Sequence, residues 1–335
     1  MNKRKSAIVG CGGIAQVHAK ALRDGDYAEL AACADIRPER AETMAQQYGG
    51  RAYSSLEEML DGEAIDVLHI CTPHSLHTPM AKEAVRRGIQ VFTEKPPVIS
   101  REQWAEFSAL GEGKARVGIC FQNRYNRSVR YLEELLASGK PGKVLGARAF
   151  VTWRRDAPYY TESGWRGSLQ TEGGGVLINQ SIHTLDLLVR FLGRPRAAEA
   201  TLANHHLKGV IEVEDTLEAW VDFGGACAVF FATTAHCSDS PVLLELTCEN
   251  AVFRMEETEV CCVWKDGRKE QISFSAPAAQ GKAYWGSSHE TCIRDFYRAW
   301  EENRPYQNDI ESVRNTVDLM LGIYESAREA HPVTL

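Results

Sequence analysis

Residues 7–22 read AIVGCGGIAQVHAKAL, an apolar run that breaks into a glycine cluster and resumes with helical spacing. A strand that turns within a few residues into a helix packed back on it opens a parallel βαβ unit. Gly10, Gly12 and Ala15 stand at the three small positions of G-x-G-x-x-G/A. The first permits the tight turn, the second lets backbone approach a pyrophosphate, and the third lets helix and strand pack closely. Gly13 and Ile14 begin the helix, whose first N–H groups attract phosphate. A second apolar strand, Leu30–Ala34, ends in Asp35 roughly 20 residues on, as a dinucleotide site requires. A carboxylate there accepts from both hydroxyls of an adenosine ribose and repels a 2′-phosphate, which favours NAD over NADP. Ile36 and Arg37 follow, and the Arg37 guanidinium is able to pair with a 2′-phosphate.

The first part of the chain alternates in period. Strands are predicted at Ala7–Gly10, Leu30–Ala34, Val67–Cys71, Gln90–Thr93 and Arg116–Cys120. Helices are predicted near Ile14–Arg23, Pro38–Tyr48, Ser55–Leu60, Thr78–Gly88 and Arg101–Glu112. This order implies an α/β, Rossmann-type doubly wound parallel sheet, with its ligand beyond the carboxyl ends of the strands. After about residue 121 the pattern changes to strand-like runs at Val144–Arg154, Thr216–Phe223, Ala226–Thr234, Val242–Cys248, Ala251–Met255, Val260–Trp264 and Gln271–Phe274. Helices are predicted at Ser128–Ser138, Val176–Leu192, His289–Asn303 and Ile310–Ala330. The expected division is a dinucleotide domain, 1–121, and an α+β domain, 122–335, built on a large, mostly antiparallel open-faced sheet. The last helix is free to pack back on the first domain.

Composition narrows the function. A formal net charge of −7 over 335 residues gives no electrostatic reason to bind nucleic acid. The KRK near the start leads at once into a strand, unlike a signal peptide, and no apolar segment reaches membrane-spanning length. Ten scattered cysteines with no C-x-x-C pair fit reduced, buried thiols in the cytoplasm. Neither His74-x-x-His77 nor His205-His206 has a ligand set at metal spacing, so no metal is expected.

Two segments carry chemistry. Cys71, Thr72, Pro73, His74 and His77 follow one predicted strand, and Glu94-Lys95-Pro96-Pro97 follows the next. Both lie on the cofactor side of the sheet. Lys95 reads either as an exposed turn lysine or as a group that orients a substrate hydroxyl. The second segment runs from Gly173 to Leu188, GGGVLINQSIHTLDLL. At 100° per residue Asn179, His183 and Asp186 share a helix face, with Ile182, Leu185, Leu188 and Val189 as its anchor. His183 reads as a proton acceptor near neutral pH or as a hydrogen-bonded core histidine. Trp153, Tyr160 and Trp165 could stack on a sugar face or form an oligomer contact.

In this order GxGGIAxxH, ADIRPERA, CTPxxxHxPMAxxAxxxGxxVFTEKP and GGGVLINQSIHTLDLL resemble the Gfo/Idh/MocA family, over roughly Ser6 to Gly193. The resemblance implies NAD(P) and hydride transfer at a carbinol carbon of a sugar, inositol or related polyhydroxylated small molecule. It implies that Lys95 is the catalytic lysine and His183 the acid/base. Asn179 stands where many members have aspartate, and His74 where asparagine is frequent. Gln122-Asn123-Arg124-Tyr125 resembles the stretch near cofactor and substrate, and Trp165-Arg166 the segment that reaches over the nicotinamide. Two other functions stay open: a redox-assisted lyase or glycosidase that keeps NAD bound through a 3-keto intermediate, and a non-catalytic NAD-sensing protein. The strand-rich, helix-poor second part predicts a homodimer or homotetramer.

Overall fold

In the computed structural model, residues 3–274 and 288–335 are described. The chain forms two compact units. The first holds β1 (Arg4–Val9), α1 (Gly13–Asp24), β2 (Ala28–Ala34), α2 (Pro38–Tyr48), β3 (Arg51–Tyr53), α3 (Leu56–Gly62), β4 (Val67–Ile70), α4 (His77–Arg86), β5 (Gln90–Thr93), α5 (Arg101–Ala109) and β6 (Val117–Ile119). The second holds α6 (Arg127–Ala137), β7 (Val144–Thr152), α7 (Ala157–Thr161), α8 (Ile182–Leu192), β8 (Ala197–Ala203), β9 (Thr216–Asp222), β10 (Cys227–Thr233), β11 (Leu243–Cys248), β12 (Ala251–Glu256), β13 (Glu259–Trp264) and β14 (Lys269–Ser273). α9 (His289–Glu301), α10 (Ile310–Glu329) and β15 (Val333–Thr334) complete the chain.

The first sheet is wholly parallel, in the order β3-β2-β1-β4-β5-β6. All four residues of β4 and the last four of β1 are buried, as helices on both faces of a sheet require. Local chemistry fixes the helix starts. Pro38 opens α2, while Ser55 and Ser100 cap α3 and α5 by accepting from Glu58 N at 3.1 Å and Gln103 N at 3.2 Å. The winding reverses between β1 and β4, so the loops after these strands diverge and open the crevice where such sheets bind ligands. β3, only three residues long, carries too little pattern to be expected from sequence.

The expected division at 121/122, with a C-terminal helix free to return to the first domain, takes the following form in the structure. The first unit runs to Gln122, and the later stretch 288–313 returns to it. Tyr297 on α9 hydrogen-bonds Ser6 at 2.6 Å, and Phe296 packs edge-on against Phe92. Asn308 O accepts from Ile119 N at 2.9 Å beside β6. The apolar spacing of Cys292, Ile293, Phe296 and Tyr297 announced a helix, but helical spacing does not say which sheet it covers.

The second unit is built on nine strands in the order β14-β13-β12-β11-β7-β10-β9-β8-β15, with β7 and β10 the parallel neighbours. Alternate residues of β9 to β12 are buried, and α8 packs on β7. Trp220, Val229, Leu145 and Val263 remain more than two-fifths exposed. β8 was not foreseen, because AAEATLA lacks the bulky β-branched residues that mark a strand. Among the described residues no helix is long and apolar enough to cross a membrane.

Candidate functional site

In the first unit the glycine turn follows β1. Gly10 has φ +83°, and a Cβ there would come within 2.7 Å of the Cys71 carbonyl oxygen, so geometry and space both demand glycine. At Gly12 a Cβ would meet nothing within 4 Å, so backbone is open to a ligand on that side. Gly12 caps α1 without a side-chain hydrogen bond, which leaves the first N–H groups of the helix to other acceptors. The Asp35 carboxylate ties this turn to the end of β2. It accepts from Cys11 N at 2.7 Å through Oδ2 and from Arg37 N at 2.9 Å through Oδ1. Each oxygen keeps a further lone pair for a ribose hydroxyl. Ile36 beside it is 91% exposed, an apolar surface at the mouth of the site.

The loops after β4 and β5 are stapled by His77. Its Nδ1 lies 2.7 Å from Pro96 O and its Nε2 2.9 Å from Thr72 O. Burial pulls its pKa below the usual histidine value, against the two carbonyls, which favour a proton on each nitrogen. Both ring nitrogens of His77, expected on the cofactor side, are committed to backbone, and the residue holds two loops together. Cys71 and His74 are likewise buried, Thr72 points its hydroxyl to Met80 Sδ at 3.5 Å, and Pro73 leads into the short turn His74–Leu76.

Glu94 is also turned inward. Its Oε1 lies 3.0 Å from His18 Nε2, and its Oε2 accepts from Lys95 N at 3.3 Å. Burial pushes its pKa up, but the His18 hydrogen bond and the charges of His18, His289 and Lys95 outweigh it and hold it well below the usual carboxylate range. Behind it a buried chain continues from His18 to His69 (3.0 Å), Tyr297 (2.8 Å) and Ser6 (2.6 Å). An ionised Glu94 must accept from His18 Nε2. The donor atoms of His18, Glu94 and Cys120 lie within 4.8 Å of one another, a grouping of metal-ligand types that the sequence reading did not foresee. Burial pushes the Cys120 thiol well up, which keeps it protonated and a poor ligand. Lys95 stands apart: it is the single residue of 91–98 that is not buried. Gln122, at the end of the unit, is buried and accepts from the Cys120 thiol at 3.8 Å.

In the second unit Val176–Ser181 winds as a π-helix before α8. The glycines ahead of it are forced by close approach. A Cβ on Gly174 would lie 2.0 Å from the Tyr324 hydroxyl, and one on Gly175 1.9 Å from Glu214 O. Glu214 clamps this turn by accepting from Gly175 N, Leu177 N and the Tyr324 hydroxyl at 2.9–3.0 Å. Through the whole stretch 174–189 only residues 179 and 183 are not buried. Within this stretch the chain thus opens at Asn179 and His183. Asp186, expected on the same face, is not presented there. It is buried and accepts from Arg124 Nε at 2.7 Å, Arg124 Nη2 at 2.5 Å and Thr316 Oγ1 at 2.7 Å.

That pair also corrects Arg124, expected at the substrate: its guanidinium is enclosed and bound to Asp186. Tyr160 is corrected too. It packs with Leu207, Ile211 and Val213 in a small core, and burial pushes its pKa well above the usual phenol range. Trp153 is buried, and its Nε1 donates to Ser240 O at 3.1 Å. Trp165 and Arg166 are half-buried in an alternating stack. Arg166 lies 5.0 Å from the Trp165 ring and 4.4 Å from that of Tyr159, while Arg155 lies between Tyr159 and Trp153. Tyr125 is half-buried under Arg130. Sequence reasoning missed Glu172, which is fully enclosed and accepts from Asn179 Nδ2 at 2.5 Å and from Gly167 N at 2.5 Å. An acid set directly before three glycines was the available signal.

Comparison with known proteins agrees with this construction. Residues 4–120 match an oxidoreductase family with an NAD-binding Rossmann fold, and residues 129–254 match the GFO/IDH/MocA C-terminal domain. The two matches together cover more than half of the chain, which belongs to the Gfo/Idh/MocA family. It is 30% identical over 178 residues to a glucose-6-phosphate 3-dehydrogenase of Bacillus subtilis, covering 50% of each chain. It is 30% identical over 194 residues to a D-glucoside 3-dehydrogenase of Escherichia coli, covering 56% of this chain and 54% of that one. The chain thus matches about half the length of these curated relatives. The WlbA dehydrogenase from Bordetella pertussis, solved with NADH and UDP-GlcNAcA, superposes with a TM-score of 0.87 at 26% identity, over 100% of this chain and 99% of that one.

Proposed function

We propose that the protein is an NAD-dependent dehydrogenase or reductase acting on a carbinol carbon of a sugar, inositol or sugar derivative. The observation that carries this reading is selective exposure. Lys95 is the one open residue of 91–98, and Asn179 and His183 are the two open residues of 174–189. Two buried segments each leave accessible only the side chains that hydride chemistry needs.

The glycine turn fits NAD: Gly10 makes the tight turn, Gly12 leaves backbone open to the pyrophosphate, the uncapped start of α1 offers N–H donors, and Asp35 keeps lone pairs for the ribose. Ile36 offers apolar surface to the adenine. When bound, NAD accepts or returns the hydride at nicotinamide C4. His183 takes the proton of the substrate hydroxyl. The Lys95 ammonium donates a hydrogen bond to the same oxygen and stabilises its developing charge. Asn179 orients the hydroxyl. The relatives named above are dehydrogenases of sugar substrates, which supports a polyhydroxylated ligand. The exposed apolar residues Leu145, Trp220, Val229 and Val263 support pairing of the large sheet with a second copy, as a homodimer or homotetramer.

The test is NADH formation at 340 nm with glucose 6-phosphate, methyl glucosides, myo-inositol and UDP-sugar acids, beside fluorescence titration of NAD. Turnover with net NADH supports the dehydrogenase reading. Product formed at unchanged oxidation level, with no net NADH, identifies the lyase or glycosidase alternative. Tight NAD binding with no turnover of any polyol identifies a sensing protein.

A further inference from the structure

Asn179 is a neutral amide at the opening of its helix, and a buried carboxyl stands behind it. Glu172 is 0% exposed, with Gly167 N donating to Oε2 and Asn179 Nδ2 donating to Oε1, both at 2.5 Å. A carboxylate only accepts hydrogen bonds. It therefore draws the NH₂ end of Asn179 toward itself and turns Oδ1 away. The orientation of this amide is set by charge: if position 172 offered a donor, the same amide would turn its oxygen inward and its NH₂ outward.

We propose that Glu172 is a positioning residue for the reaction, acting through Asn179 to keep the acceptor end of that amide turned toward the substrate hydroxyl beside His183. The proposal rests on the assignment of Asn179 and His183 to the substrate.

The surroundings make this orientation respond to pH. The Arg166 guanidinium favours the charged form of Glu172, whereas the Glu214 carboxylate opposes it. Its effects reach the phenols of Tyr159, Tyr160 and Tyr324. Burial pushes the Glu172 pKa up to about 7, against the Gly167 and Asn179 hydrogen bonds, which lower it. Above that value the ionised carboxyl holds Oδ1 outward. Below it the protonated carboxyl is able to donate to Oδ1, and the amide reverses.

The first readout needs no substrate. In NAD-loaded protein labelled with [¹⁵N]asparagine, the Asn179 side-chain amide, assigned with Asn179→Ala, is titrated between pH 5.5 and 8.5. An inflection in the wild type that vanishes in Glu172→Gln is expected; a flat wild-type titration, or an inflection that survives in Glu172→Gln, overturns the proposal. The second readout is a charge exchange, assayed with glucose 6-phosphate, myo-inositol or methyl glucoside. In Glu172→Gln the oxygen of the introduced amide accepts from Gly167 N, so its NH₂ faces Asn179 and reverses the asparagine. Asn179→Asp sets two carboxyls at hydrogen-bond distance. Each single change is expected to lower kcat by about tenfold or more. The double change Glu172→Gln/Asn179→Asp lets the amide at position 172 donate to the carboxylate at position 179 and is expected to recover most of kcat. Damage that adds without recovery overturns the proposal. Should Glu172→Gln not fold, the double variant and the wild-type titration still decide. His183→Ala is measured in parallel: near-normal turnover there fails the acid–base assignment itself, whereas lost turnover there without recovery in the double variant fails this proposal alone.

Discussion

Asp186→Asn separates a structural role for Arg124 from a substrate-binding one. The Arg124 and Asp186 side chains are 0% and 1% exposed, joined by two hydrogen bonds of 2.7 and 2.5 Å, with Thr316 as a third donor to the carboxylate. The variant keeps size but removes the negative charge, so a guanidinium stays buried without its counter-charge. Breaking a buried pair from one side costs about 3–5 kcal/mol. For a domain of about 150–250 residues each kcal/mol lowers Tm by about 2–4 °C, which predicts a fall of about 6–20 °C. The double variant Arg124→Met/Asp186→Leu replaces both partners with apolar groups of similar reach and should regain most of the loss. Thermal denaturation followed by circular dichroism, with NAD absent, measures both. A change in Tm under about 2 °C for Asp186→Asn, or a double variant no better than the single, would refute the reasoning. So would normal stability with substrate KM raised alone, since that pattern belongs to a ligand anchor.

Asp35→Ser should narrow the preference for NAD over NADP by about tenfold, equivalent to about 1.4 kcal/mol, in fluorescence titrations of both cofactors; an unchanged ratio contradicts the ribose assignment. Gly10→Ala combines a φ of +83° with a Cβ 2.7 Å from backbone oxygen. It should weaken NAD binding and cost about 1–3 kcal/mol in urea denaturation, and retention of both would show that the turn relaxes. Glu172 also links stability to pH: raised from 4.5 to about 7, it keeps its proton longer in the folded state. Its contribution is complete below about pH 4.5 and is lost as pH rises through 7, by about 3 kcal/mol at about 1.4 kcal/mol per pH unit. The stability of Glu172→Gln relative to wild type should therefore rise between pH 5 and 8, and a constant difference would contradict this. Light scattering at micromolar concentration should show a dimer or tetramer rather than a monomer.

Period and punctuation made the first sheet legible. Val67–Ile70 and Gln90–Thr93 are short apolar runs bounded by helices, and such strands leave no alternative placement in a doubly wound sheet. The second sheet was legible through alternation and hairpin turns, except at β8, where alanine and threonine carry little strand signal, and at β15, which is two residues long. What sequence hid was the direction in which polar side chains turn. Arg124, His77 and Glu94 have the chemistry of ligand groups, yet each is spent inward on Asp186, on two carbonyls and on His18. Such commitments depend on partners as far as 19 to 76 positions away, which local spacing does not reveal. The Asn179–Glu172 contact was closer to hand, seven residues apart. It was hidden because the intervening glycines and the π-helical turn replace the regular helical spacing.

The central claim is that Lys95 and His183 serve one hydroxyl while the glycine turn holds NAD independently. The most direct measurement is kcat for His183→Ala and Lys95→Ala on whichever sugar or inositol the wild type oxidises, set beside the NAD Kd of each variant. The account predicts that kcat falls about 10²–10⁴-fold in each, the range of a positioned acid–base group, while Kd changes by less than about threefold. Near-normal turnover in His183→Ala, or a loss in either variant explained by NAD affinity alone, would contradict it.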